Sequence, residues 1–104
     1  MKPLKIHGVI AIMNRRLLHG RDECYGTTEV NGRRFMIRIS TKLANNTDDF
    51  ADTLLHELLH LFFFVLSGLL KLKISNKVEH QIIERTTKFV MRQVKYELKK
   101  KVKR

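Results

Sequence analysis

The segment from Leu54 to Leu70 constrains this chain more than any other. It is almost continuously apolar, yet it carries His56, Glu57, His60, Ser67 and Gly68. A membrane-spanning helix needs about 20 mostly apolar residues, and an interior carboxylate is costly there. The segment is shorter than that and holds Glu57, so it reads as a core helix rather than a span. At about 100° per residue, His56 and His60 share a face with Asp49, Thr53, Phe64 and Ser67. The opposite arc is Leu54, Leu55, Leu58, Leu59, Leu61, Phe62, Val65 and Leu66, and it is expected to be buried. The polar stripe would then line a cleft.

The rest of the chain supplies what this helix packs on. Asn45-Asn46-Thr47-Asp48-Asp49 offers caps followed by acids suited to a helix start, giving a helix from about 48 to about Leu66. Ser67-Gly68 would weaken or end it. Upstream, Lys5 to Met13 is rich in β-branched residues and reads as a strand, and His19 to Glu23 reads as a loop. Tyr25 to Val30 and Arg33 to Ser40 flank Asn31-Gly32, a signal for a hairpin with a type I′ turn. In the second strand Phe35, Ile37 and Ile39 alternate with Met36, Arg38 and Ser40, so one face packs on the core. Ser75 or Asn76 caps a last helix that runs toward the basic tail, Lys95 to Arg104. Strands followed by two helices give an α+β fold in one domain, 1–104. The expected architecture is a small antiparallel sheet with a β-hairpin, packed on the His56–His60 helix.

Composition sets limits on this picture. With 43% hydrophobic and 30% charged residues, the chain is globular rather than disordered. The single cysteine, Cys24, excludes an internal disulfide framework and fits a reducing compartment. The N-terminal region lacks the pattern of a secretion signal, so a cytoplasmic location is the expectation. The net charge of +11 allows an anionic partner but does not bear on the fold.

His56-Glu57-Leu58-Leu59-His60 is an HExxH pattern on a predicted helix. Residues four apart sit one turn apart on one face, so both imidazoles can reach a single zinc ion. Glu57 is displaced about 100° round the helix, beside the ion, where it can take a proton from zinc-bound water. A catalytic zinc has three protein ligands as a rule, and Glu79, His80 and Glu84 are the candidates for the third. The apolar arc of the last helix (Val78, Ile82, Ile83, Phe89, Val90, Val94) is centred near Glu79, Thr86 and Gln93. That places Glu79 first, His80 at the edge of the arc and Glu84 outside it. The other use for Glu79 is an ion pair with a hairpin cation.

On these residues the chain resembles the gluzincin zinc metallopeptidases, in which HExxH is completed by a Glu on the next helix. Glu79 follows His60 by 19 residues. Its size is similar to that of the minigluzincins and of small metallopeptidase-like proteins encoded by phages and prokaryotes. The resemblance covers roughly residues 24 to 91, through Thr53 to His60, Ile74-Ser75, Val78-Glu79 and the Tyr25-Gly26 hairpin. It implies one zinc ion on His56, His60 and Glu79, Glu57 as general base, and a peptide or protein substrate. It also implies that the strand Arg33 to Ser40 forms the upper rim of the cleft.

The sequence departs from the group in two respects. Ile83 stands where many members have an acid four residues after the ligand Glu; Asp49 or Asp52 could support a histidine instead. Oxyanion stabilisation has only Tyr25, Tyr96, His80 and His7 as candidates. His19, Asp22, Glu23 and Cys24 match no zinc-site spacing and read as a solvated loop. Two further readings remain open. One is a DNA-associated version, resembling SprT-like proteases, with weak nucleic-acid contact through the basic tail. The other is a zinc-stabilised binding module without turnover.

Overall fold

A computed structural model describes residues 7–71 and 73–102. The strands are β1 (His7–Met13), β2 (Leu17–His19), β3 (Asp22–Cys24), β4 (Gly26–Asn31) and β5 (Arg34–Ser40). Two helices follow, α1 (Thr47–Leu70) and α2 (Asn76–Val102). The fold is α+β, as the order of hydrophobic patterns implies. The start of the first predicted strand, residues 5 and 6, lies outside the described residues, as do 103 and 104 of the tail.

The main sheet has the order β1-β5-β4, with β4 antiparallel and β1 parallel to β5. It is therefore mixed rather than antiparallel. A parallel neighbour needs a crossover of a dozen or more residues, and the chain between Met13 and Arg34 provides it. Part of that crossover is a second hairpin, β2 with β3, where the sequence reads as a loop. Both hairpins use a Gly-Arg connection. Gly20 and Gly32 have φ of 67° and 64°, while Arg21 and Arg33 are not in the left-handed region. Positive φ at the first central residue alone is the type II′ pattern, not type I′. Asn31 consequently belongs to β4 and pairs with Arg34.

Ile37 and Ile39 on β5 are fully buried under α1, as their alternation predicts. Asn46 caps α1: its side chain accepts from the Asp49 N–H at 2.8 Å. The helix runs through Gly68 and stops at Lys71, which takes the left-handed conformation. A glycine in a helix costs only about 1 kcal/mol, and Leu69-Leu70 continue the apolar pattern. Ser75 caps α2, accepting the Val78 N–H at 3.3 Å. α2 returns antiparallel along α1: Glu79 lies near His60 and Lys95 reaches Asp48 at 3.2 Å. With 27 residues, α2 spans about 40 Å and overruns its neighbour. The radius of gyration is accordingly 15.5 Å, against about 13 Å for a compact chain of this length.

α1 packs over β4 and β5 with one face and meets α2 with another. The sheet is too narrow to cover the whole apolar arc. Leu58, Phe62 and Leu69 stay exposed, and Glu57 is the one buried residue of the helix. By length and composition α1 could cross a membrane (mean hydropathy 1.7). In this fold its acidic and imidazole face is turned to the sheet and to α2.

Candidate metal centre

The His56–His60 face of α1 forms the floor of an open cleft of about 1090 Å³. β4 is one wall, and the first turns of α2, with Asn76, Glu79 and His80, are the other. β5 is the central strand, so the rim of the cleft is β4 rather than the strand Arg33 to Ser40 expected from the sequence. Gly26 lets β4 approach this closely. A Cβ there would lie 2.9 Å from Thr53 Cγ2 and 3.1 Å from Glu57 Cγ.

Three imidazoles converge in the cleft. His56, His60 and His80 each offer a ring nitrogen, all within 4.8 Å of one another. The Nε2 atoms of His56 and His60 are 3.2 Å apart. Two nitrogens on one tetrahedral ion, each at about 2.0–2.1 Å, would be separated by roughly 3.3 Å, so the pair fits a shared ion. Burial pushes both His56 and His60 below the usual imidazole range; neighbouring imidazoles push the same way, while Glu57 and Glu79 oppose it. Rings held neutral at pH 7 are ready to ligate a metal.

Glu79 occupies a different place from His80. Its Oε2 lies 3.7 Å from His60 Nδ1, the ring nitrogen opposite the one facing His56. Its partner is thus an imidazole of α1, not a hairpin cation. Glu84 is exposed and outside the cleft. Asp52 lines the cleft and Asp49 does not.

Glu57 is 7% exposed. The Thr28 hydroxyl lies 2.8 Å from its Oε2 and 3.2 Å from its carbonyl oxygen. One proton serves one acceptor at a time, and the shorter, charge-assisted bond is the stronger. Cys24 also faces the cleft, and burial and the nearby Glu57 charge raise its thiol pKa, which favours the inert neutral form. Tyr25 and His80 line the cleft, whereas Tyr96 and His7 do not. Gly26 belongs to the Tyr25-Gly26 hairpin of the resemblance, but Thr28 had no motif to reveal it. The available signal is hairpin register: Gly26 pairs with Ile39 and Thr28 with Ile37, so both share the helix-facing side.

A helix bearing His-Glu-x-x-His, a strand hairpin along its side and a third imidazole from the following helix define a zincin-like metallopeptidase-type centre that could hold a metal ion. The sequence model of the SprT-like family matches residues 6–103. The chain belongs to that family. No curated protein and no solved structure gives a match.

Proposed function

We propose that this protein is a zinc-dependent metallopeptidase whose ion is held by His56, His60 and His80. The observation that carries the reading is the convergence of three imidazoles beside one buried carboxylate. Three imidazoles suit zinc among the common divalent ions. When bound, zinc supplies Lewis acidity to a substrate carbonyl and lowers the pKa of a water.

The remaining roles fall to the chain itself. Glu57 accepts the proton of the attacking water and returns it to the leaving amine. Thr28 holds the Glu57 carboxylate in place for that transfer. Glu79 faces Nδ1 of His60, where a carboxylate fixes the tautomer and orientation of a metal-bound imidazole. β4 is a free sheet edge along the cleft, so an extended peptide can pair with its backbone. Tyr25, exposed at the rim, is the side chain available to meet a developing oxyanion once His80 is a ligand.

The test is hydrolysis of unstructured protein substrates by the zinc-loaded chain, with Glu57→Gln alongside. Activity that disappears in Glu57→Gln while zinc stays bound supports the reading. Stoichiometric zinc without any hydrolysis would leave a zinc-stabilised binding module instead.

One observation favours a nucleic-acid-associated version of the same activity. The face of α2 turned away from α1 carries Arg85, Lys88, Arg92 and Lys99, all exposed, with no acid on that arc. Such a stripe suits a phosphate backbone. Binding to DNA or RNA that weakens steeply with salt supports it; no binding at low salt excludes it.

A further inference from the structure

α1 leaves one flank uncovered, and the residues there are ordered. Ala51, Leu55, Leu58, Phe62, Val65 and Leu69 follow one another in alternating steps of four and three. That is the spacing of a helix–helix seam. Leu58, Phe62 and Leu69 are 37%, 55% and 56% exposed, and the other three are partly exposed. The flank lies about 180° round α1 from His56 and His60, so whatever covers it leaves the cleft open.

The seam is also self-complementary. Ala51 and Leu69, Leu55 and Val65, and Leu58 and Phe62 are each placed symmetrically about position 60. A second α1 laid antiparallel with that register pairs all six residues reciprocally, as a two-fold interface requires. The charges agree with the same register. The N-terminal end of α1 carries Asp48 at the edge of this flank, and Lys71 stands at its other end, with Lys73 just beyond. Antiparallel packing brings Asp48 toward Lys71 at both ends. The chain has a net charge of +11, yet no Lys or Arg occurs between Thr47 and Leu70. Two copies therefore meet on a surface free of the cations that otherwise repel them. A helix face binding an anionic bilayer would instead be bordered by Lys and Arg.

We propose that a second copy of this chain occupies the flank, forming a two-fold dimer through antiparallel α1 helices. The experiment is sedimentation velocity on the full zinc-loaded chain over a concentration series. The expected result is a monomer–dimer equilibrium that Phe62→Glu shifts toward monomer by tenfold or more. Phe62 is exposed, so far-UV circular dichroism and zinc content should be unchanged. Asp48→Lys and Lys71→Glu should each weaken the dimer, and the double variant should restore it. These positions are about 35 Å apart along one helix, so restoration arises only between chains, even though Asp48 also meets Lys95 within its own chain. A monomer at every concentration overturns the proposal. So does a monomer that co-sediments with anionic vesicles, or a dimer indifferent to Phe62→Glu and to the charge exchange.

Discussion

The Thr28 hydroxyl and the Glu57 carboxylate meet at 2.8 Å, joining the edge strand of the sheet to the acid of the HExxH segment. Glu57 is buried, and His56, His60, His80 and Cys24 line the same cleft. A hydrogen bond to a charged group contributes about 1.5–3 kcal/mol. Thr28→Val keeps the shape and removes the donor. It should lower kcat about tenfold or more with zinc content and KM little changed, and Thr28→Ser should recover most of the loss. Steady-state kinetics with metal analysis checks this; full activity in Thr28→Val would deny the hydroxyl a role.

The ligand assignment makes a separate prediction. His60→Ala and His80→Ala each remove a donor from the converging set, so both should lose stoichiometric zinc. Glu79→Gln removes a carboxylate 3.7 Å from the far nitrogen of His60. It should keep the ion with affinity reduced about 10- to 100-fold. Metal analysis after dialysis distinguishes the cases. Zinc retained in His80→Ala but lost in Glu79→Gln would put the carboxylate on the ion.

How much of this was legible in the sequence depends on the range over which each signal acts. The closeness of His56 and His60 on one helix face, a cap within Asn45-Asn46 and another at Ser75 or Asn76, and the buried alternation of Ile37 and Ile39 are local features, and the structure has each of them. The β4–β5 turn sits one residue beyond the dipeptide with the strongest turn propensity. Asn31-Gly32 has the stronger propensity, but only Gly32 takes positive φ, and the same Gly-Arg usage at Gly20 hides a second hairpin. The direction of β1 was not readable, because an apolar β-branched run fits a parallel or an antiparallel neighbour equally well. The exposure of Leu58 and Phe62 depends on how wide the sheet is, which no helical wheel contains. His80 sits at the edge of the α2 arc, so its arrival beside His56 and His60 is set by how the two helices cross. The Thr28–Glu57 bond spans 29 residues and has no sequence signature.

Gly26 tests how tightly β4 must lie on α1. A Cβ there would meet Thr53 Cγ2 at 2.9 Å, the Arg38 carbonyl oxygen at 3.1 Å and Glu57 Cγ at 3.1 Å. Two of these contacts are with side chains of α1 and one is with backbone, so relaxation requires the strand to move off the helix. Gly26→Ala should destabilise the protein by about 1–3 kcal/mol, the range for overpacking. It should also lower activity, because the same shift carries Thr28 away from Glu57. Urea unfolding measures the first effect. Stability unchanged from the parent would mean that the strand and helix are not in this close contact.

The histidines give the metal-free protein a definite pH dependence. Burial lowers the pKa of His56 and His60 in the folded state below the ordinary value of about 6.5. In the unfolded chain the rings titrate near that ordinary value. Between the two, the unfolded state binds more protons than the folded state, so stability rises with pH. The contribution is therefore fully present above about pH 6.5 and is lost as pH falls toward the folded pKa values. Zinc competes with the same protons, so its affinity should fall over the acid side of this window as well. Urea unfolding of the metal-free chain at pH 7.5 and 5.5 should show lower stability at 5.5. A double His56→Gln, His60→Gln variant should lose much of that difference. An equal pH dependence in the parent and the double variant would locate the proton uptake elsewhere.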